Sequence, residues 1–159
     1  METKTKHQGL YLKSYKNHKH AIEAVEDLLE NGFNREDLTL IGKSDKSEEE
    51  FQVEQSHDSF AKASIISGVS VGTITGVLTG VGVFAIPGFG FLYGAGALVG
   101  ALAGLEVGVL AGGVGAALSA LGLKEEEIQS YEDQIHDGEY IIFYSGDHAN
   151  YDKALSVVN

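Results

Sequence analysis

Residues 63–123 run for sixty-one positions with one charged side chain, Glu106, and place glycine at every fourth residue on both sides of the only proline, Pro87. Gly68, Gly72, Gly76 and Gly80 form one ladder, and Gly96, Gly100, Gly104, Gly108 and Gly112 form the other. Glycine loses more backbone entropy on ordering than any other residue and lies about 1 kcal/mol below alanine in a helix interior. A chain that repeats it in a fixed register is using it. On a helix, positions i and i+4 stack one above the other, so each ladder is a strip bare of side chains where a second backbone packs closely, as in small-xxx-small contacts. The spacing predicts a glycine-zipper helical hairpin over residues 63–123, turning at Pro87 and Gly88. The plainer alternative is that the glycines only lower side-chain volume in an ordinary buried helix pair.

The flanks are different in kind. Residues 1–62 carry nine Lys and Arg against thirteen Asp and Glu, residues 124–159 two against nine, and the formal net charge of the chain is -12. Nucleic acid is not an expected partner, because counterion release has no basic patch to act through. Anionic headgroups are repelled in the same way, so any attachment to a lipid bilayer must come from the apolar middle. Without cysteine there are no disulfides and no thiolate metal sites. The stretch METKTKHQGL has no apolar h-region, so no secretory signal is expected and the first sixty residues are expected in the cytosol.

Outside the apolar middle the pattern predicts strand, helix, strand, helix, strand, helix. Residues 9–15 alternate as a half-buried strand. From Asn17 onward Ala21, Ile22, Val25, Leu28 and Leu29 recur at helical spacing until Asn31-Gly32 ends the run. A second strand follows at residues 38–42, and a strand–helix–strand unit of this length predicts two parallel strands of one sheet. Residues 46–62 read as a charged linker, with a weak strand signal at residues 51–53. Residues 124–136 form an amphipathic helix with Ile128, Tyr131 and Ile135 on one face, residues 139–145 the strongest strand, and Asp147 caps a short last helix over residues 148–157. The expected fold is α+β: a small ferredoxin-like βαβ…αβ sandwich, three strands with helices on one face and the other face free, interrupted by the apolar hairpin. Its parts are residues 8–45 and 124–159 as the two halves of the α+β domain, 46–62 as linker and 63–123 as hairpin. So modest a core suits dependence on neighbouring subunits.

The runs AIEAVEDLLENGFNREDLTLIG and LGLKEEEIQSYEDQIHDGEYIIFY, with a glycine-ladder segment broken by IPGFG between them, resemble the bacterial general stress protein family known for its heat-induced stress protein domain. The resemblance extends over residues 10–145. It implies a stress-induced bacterial protein, supplies no catalytic residues, and makes the glycine segment a separable addition, since shorter members lack it.

Three readings of the apolar segment follow. Residues 64–86 would span roughly 35 Å as a helix, more than the ~30 Å of a hydrocarbon core, and Lys62 and Lys124 flank the hairpin as expected for insertion from the cytosol. The first reading is therefore a self-associating membrane hairpin with both termini cytoplasmic, the partners being itself and the bilayer. Against a simple double span stand the low hydrophobicity of a Gly-, Ala-, Ser- and Thr-rich segment, the apolar turn, and a carboxylate expected in mid-helix at Glu106. The second reading is a soluble, cytoplasmic homo-oligomer or filament with the hairpins as its core, because a lone hairpin free in water is not a stable state. The third is a membrane ring that binds an ion or proton at Glu106, an analogy with rotor rings. The favoured account of Glu106 is plainer: a carboxylate hydrogen-bonded across an interface or close to water.

No motif nominates a reaction. There is no GxxxxGK[ST] loop, and the partial GxGxxG matches lie in continuous apolar sequence and not at a strand-to-helix turn. His18 and His20 lie two apart in a polar stretch without a matching ligand pair, and His7, His57, His136 and His148 are scattered, so solvation is favoured over metal binding. G-x-S-x-G and HExxH are absent. The expectation is a non-enzymatic protein with no catalytic residues, no cofactor and no metal site.

Overall fold

The computed structural model describes residues 8–44, 81–86, 90–96 and 106–159. Strand β1 (Leu10–Tyr15) leads to helix α1 (His18–Glu30), a 3-10 turn (Arg35–Asp37) and strand β2 (Leu38–Ser44). After these come strands β3 (Val81–Ile86) and β4 (Gly90–Gly96), helices α2 (Glu106–Ala120) and α3 (Glu125–His136), strand β5 (Tyr140–Tyr144), a second 3-10 turn (His148–Asn150) and helix α4 (Tyr151–Val158). All five strands join one sheet of order β1-β5-β2-β4-β3, antiparallel at every pairing.

The local signals in the flanks act as their chemistry dictates. Asn17 accepts a hydrogen bond from the Lys19 amide at 2.8 Å and starts α1. At its other end the Phe33 amide reaches Leu28 O and the Gly32 amide reaches Leu29 O, the two bonds of a Schellman cap. Gly138 ends α3 in the same way, through Glu139 N to Gln134 O and Gly138 N to Ile135 O. Asp147 accepts from the Ala149 amide at 2.9 Å, although the segment it caps begins as a 3-10 turn before α4.

β1 and β2 run parallel to each other, as the strand–helix–strand unit requires, but they do not touch. β5 lies between them and is antiparallel to both, with Leu10 and Leu38 each opposite Tyr144. This split βαβ arrangement sets β5, from the last third of the chain, between the first two strands. On one face α1 and α4 bury Leu12, Ala21, Val25, Leu28, Leu38, Leu40, Ile142, Tyr144, Ala154 and Val158. On the other, α2 and α3 bury Ile41, Leu92, Val114, Ala117, Leu118, Leu121, Ile135, Ile141 and Phe143. The molecule is a three-layer sandwich, which corrects the expectation of helices on one face and a free second face. Successive residues of β5 point to opposite layers, and Ile141, Ile142 and Phe143 are all completely buried.

The long apolar helical hairpin is corrected as well. Residues 81–86 and 90–96, expected in two helices, are two antiparallel strands continuing the sheet beyond β2. α2 is fifteen residues long and is broken at Gly113, whose φ of 68° and ψ of -154° no L side chain adopts without strain. Among the described residues no helix is long and apolar enough to cross a membrane. The segment thus supplies two strands and one wall of the second core layer, through Val114, Ala117, Leu118 and Leu121.

Candidate functional site

The two ends of the sheet differ, and the difference begins in sequence. β3 reads VGVFAI, β-branched and aromatic residues without a charge or proline. It pairs with β4 at six consecutive positions, Val81 with Ala95 through Ile86 with Gly90, in unbroken register. β4 pairs with β2 from Thr39 opposite Gly96 to Ser44 opposite Phe91. Gly96 fixes that junction. Its φ is 89°, and an added Cβ would run into the carbonyl oxygen of Leu38, so the close approach of β4 to β2 requires glycine there. Among the described residues no strand pairs with the far side of β3. Its outward N–H and C=O groups belong to a strand without charge, proline or a break in register, the devices with which proteins usually blunt an edge.

β1, at the opposite end, is blunted. Its register with β5 shifts between Tyr11 and Lys13. The Tyr151 hydroxyl donates to Tyr11 O at 2.6 Å, and the Lys13 ammonium donates to Val158 O at 2.8 Å and lies 5.7 Å from the Tyr15 ring centroid. α4 is thereby tied along β1 by both of its ends.

A small polar cleft of about 170 Å³ opens where α1 ends and α4 begins. Phe33 and Tyr144 meet edge to face at 5.7 Å in its wall, and Lys153 lies over the Phe33 ring at 5.3 Å while donating to Asn31 O at 3.1 Å. Tyr144 donates to Asp147 O at 3.2 Å. Burial, then the negative charge of Asp37, pushes the Tyr144 phenol above its ordinary value, with the hydrogen bonds of Asn150 and Asp147 acting the other way. The phenol is neutral at physiological pH and serves as a hydrogen-bonding wall. Among the described residues no group of three or more His, Asp or Glu side chains is arranged to hold a metal ion.

The residues singled out in sequence are dispersed by the fold. Gly68, Gly72, Gly76, Gly80, Gly100, Gly104, Pro87 and Gly88 lie outside the described residues, as do His7 and His57. Gly96 ends a strand, and Gly108 and Gly112 lie in the first part of α2, ahead of its break at Gly113. Glu106 is the first described residue of α2, and the residues just before it lie outside the described ones. His18 opens α1 with its ring 4.9 Å from that of Tyr140, His136 closes α3 and His148 opens the second 3-10 turn, so the histidines occupy different places in the fold. The β3 edge went unread in sequence, although VGVFAI, a Pro-Gly pair and GFLYG together carry a hairpin signal.

No curated protein matches the chain, and no solved structure does. The family model described as the heat induced stress protein YflT domain matches residues 11–84. That stretch begins in β1 and ends in β3, and so contains one strand from each end of the sheet. Over residues 11–84, somewhat less than half of the chain, the sequence is thus similar to the heat induced stress protein YflT domain.

Proposed function

We propose that this is a non-enzymatic general stress protein that acts by associating with copies of itself in water, and that β3 is the strand through which it does so. The observation that carries this reading is the uncharged, regular outer strand VGVFAI, set in a chain of net charge -12. An edge of that kind pairs with another strand by main-chain hydrogen bonds. The glycine-rich segment keeps its role in self-association, but through a strand edge in place of a helical zipper.

A bilayer-associated form is the second reading, favoured by the single charge in residues 63–123. Lysis without detergent, flotation with a carbonate wash, and light scattering on the soluble fraction decide between the two. The expected result is soluble protein with a mass above the 16.9 kDa of one chain. Soluble protein at 16.9 kDa at every concentration would refute self-association, and carbonate-resistant flotation would replace the first reading with the second.

A further inference from the structure

We infer that self-association closes at two chains: β3 pairs antiparallel with β3 of a second copy about a two-fold axis, giving one continuous ten-stranded sheet. This rests on the self-association reading above and adds its geometry and its limit. A sheet has two edges, and open-ended growth through sheet edges needs one copy's β3 to meet the next copy's β1, a heterologous contact that repeats without closing. β1 is not available for that. Tyr11 O already accepts from Tyr151, the ladder is bulged between Tyr11 and Lys13, and Lys13 is tied to Val158 O. The remaining edge-to-edge contact is β3 with itself, which is isologous and closes at two.

The strand fits a two-fold. Antiparallel self-pairing sets residues of the same segment opposite each other, where like charges are destabilising, and Val81–Ile86 has none. Charge on the described helices other than α2, which carries Glu106, favours the same geometry. α1, α3 and α4 hold Glu23, Glu26, Glu125, Glu126, Asp133 and Asp152, and these helices pack on β1, β5 and β2, whereas α2 is the helix packed against β3. Joining β3 to β3 keeps these carboxylates of the two chains away from the joint, where screening weakens their repulsion.

The test is native mass spectrometry and light scattering across a dilution series on the full chain, with Val83→Pro and Phe84→Pro made separately. Neighbouring residues of a strand send their N–H groups to opposite edges. One proline therefore removes a β3–β4 bond, and the other removes only an outward donor. The expected wild-type mass is twice 16.9 kDa at high concentration without further growth, and one of the two variants stays at one chain with its thermal midpoint within a few degrees of the parent. If both variants lose their fold, amide exchange on the wild type decides: β3 amides protected in concentrated and not in dilute protein support the dimer, and equal protection at both overturns it. A mass that keeps growing with concentration overturns closure while leaving self-association standing. A wild-type mass of one chain overturns both, and a dimer that survives both prolines places the interface elsewhere.

Discussion

Replacing Gly96 with alanine separates the strand reading of the glycine-rich segment from the helical one by sign. In a helical ladder, alanine is the better residue by about 1 kcal/mol, so the substitution would stabilise an exposed helix. In the sheet, Gly96 ends β4 with φ 89° and its missing Cβ leaves room for the Leu38 carbonyl. A left-handed backbone costs an alanine about 1–2 kcal/mol. The methyl also meets main chain that cannot rotate away, and overpacking of that kind adds about 1–3 kcal/mol. The expected loss is therefore about 2–5 kcal/mol, or a fall of roughly 5–15 °C in thermal midpoint for a chain of this length. Gly115 is the internal control. It lies in the helical second part of α2, and an added Cβ there meets Glu132 Oε2 and Ile128 Cγ2 at 3.6 Å, ordinary contact. Gly115→Ala should stabilise by roughly 0.5–1 kcal/mol. Urea unfolding followed by far-UV circular dichroism, at a protein concentration where the oligomer is unchanged, measures both. A Gly96→Ala midpoint equal to or above that of the parent would refute the strand-end geometry.

Three further outcomes test the core. Tyr131 and Phe143 meet at 90° with centroids 5.2 Å apart, so a double-mutant cycle with Tyr131→Leu and Phe143→Leu in urea unfolding should return about 0.5–1.5 kcal/mol of coupling; zero coupling would mean that α3 does not pack on β5 there. Thr39 is completely buried and its Oγ1 has no hydrogen-bond partner among the described residues; Thr39→Val, of the same shape, should raise stability by up to about 1 kcal/mol in the same assay, and a loss of that size would reveal a partner for the hydroxyl. The phenols of Tyr15, Tyr131, Tyr144 and Tyr151 are all raised above 10.0, chiefly by burial. Because folding raises these values, stability should be level below pH 10.0 and fall above it, as the unfolded chain ionises first. Urea midpoints and phenolate absorbance across that window check it, and stability rising with alkaline pH would contradict it.

The elements of the polar flanks were legible because each carries its own boundary chemistry: Asn17 and Asp147 as caps, Gly32 and Gly138 as stops, and helical spacing at Val25, Leu28, Ile128, Tyr131 and Ile135. Their assembly was less so. The run YIIFY does not alternate, which is the mark of a strand covered on both faces, and two helix layers follow from it. The glycine register misled for a physical reason. Residues four apart share a face of a strand as well as of a helix, so a four-residue ladder fits both periods. The pairing of Gly94 with Ile41 and of Gly96 with Thr39 in β2 shows which period holds there. The polar cleft and the contrast between the sheet's two edges combine residues more than a hundred positions apart, such as Tyr11 with Tyr151, and no local pattern joins them.

Pairing of the glycine-rich segment with β2 is the claim on which the association edge depends, and the absence of cysteine allows a clean test. Ser44 and Phe91 face each other across β2 and β4, and partners in antiparallel strands have Cα atoms about 4.5–5.5 Å apart, within the reach of a disulfide. The double variant Ser44→Cys with Phe91→Cys, oxidised in dilute solution and digested, should give the peptide pair linked within one chain in nearly all molecules. Free thiols, or links formed only between chains, would show that residues 90–96 do not lie beside β2 and would contradict the account.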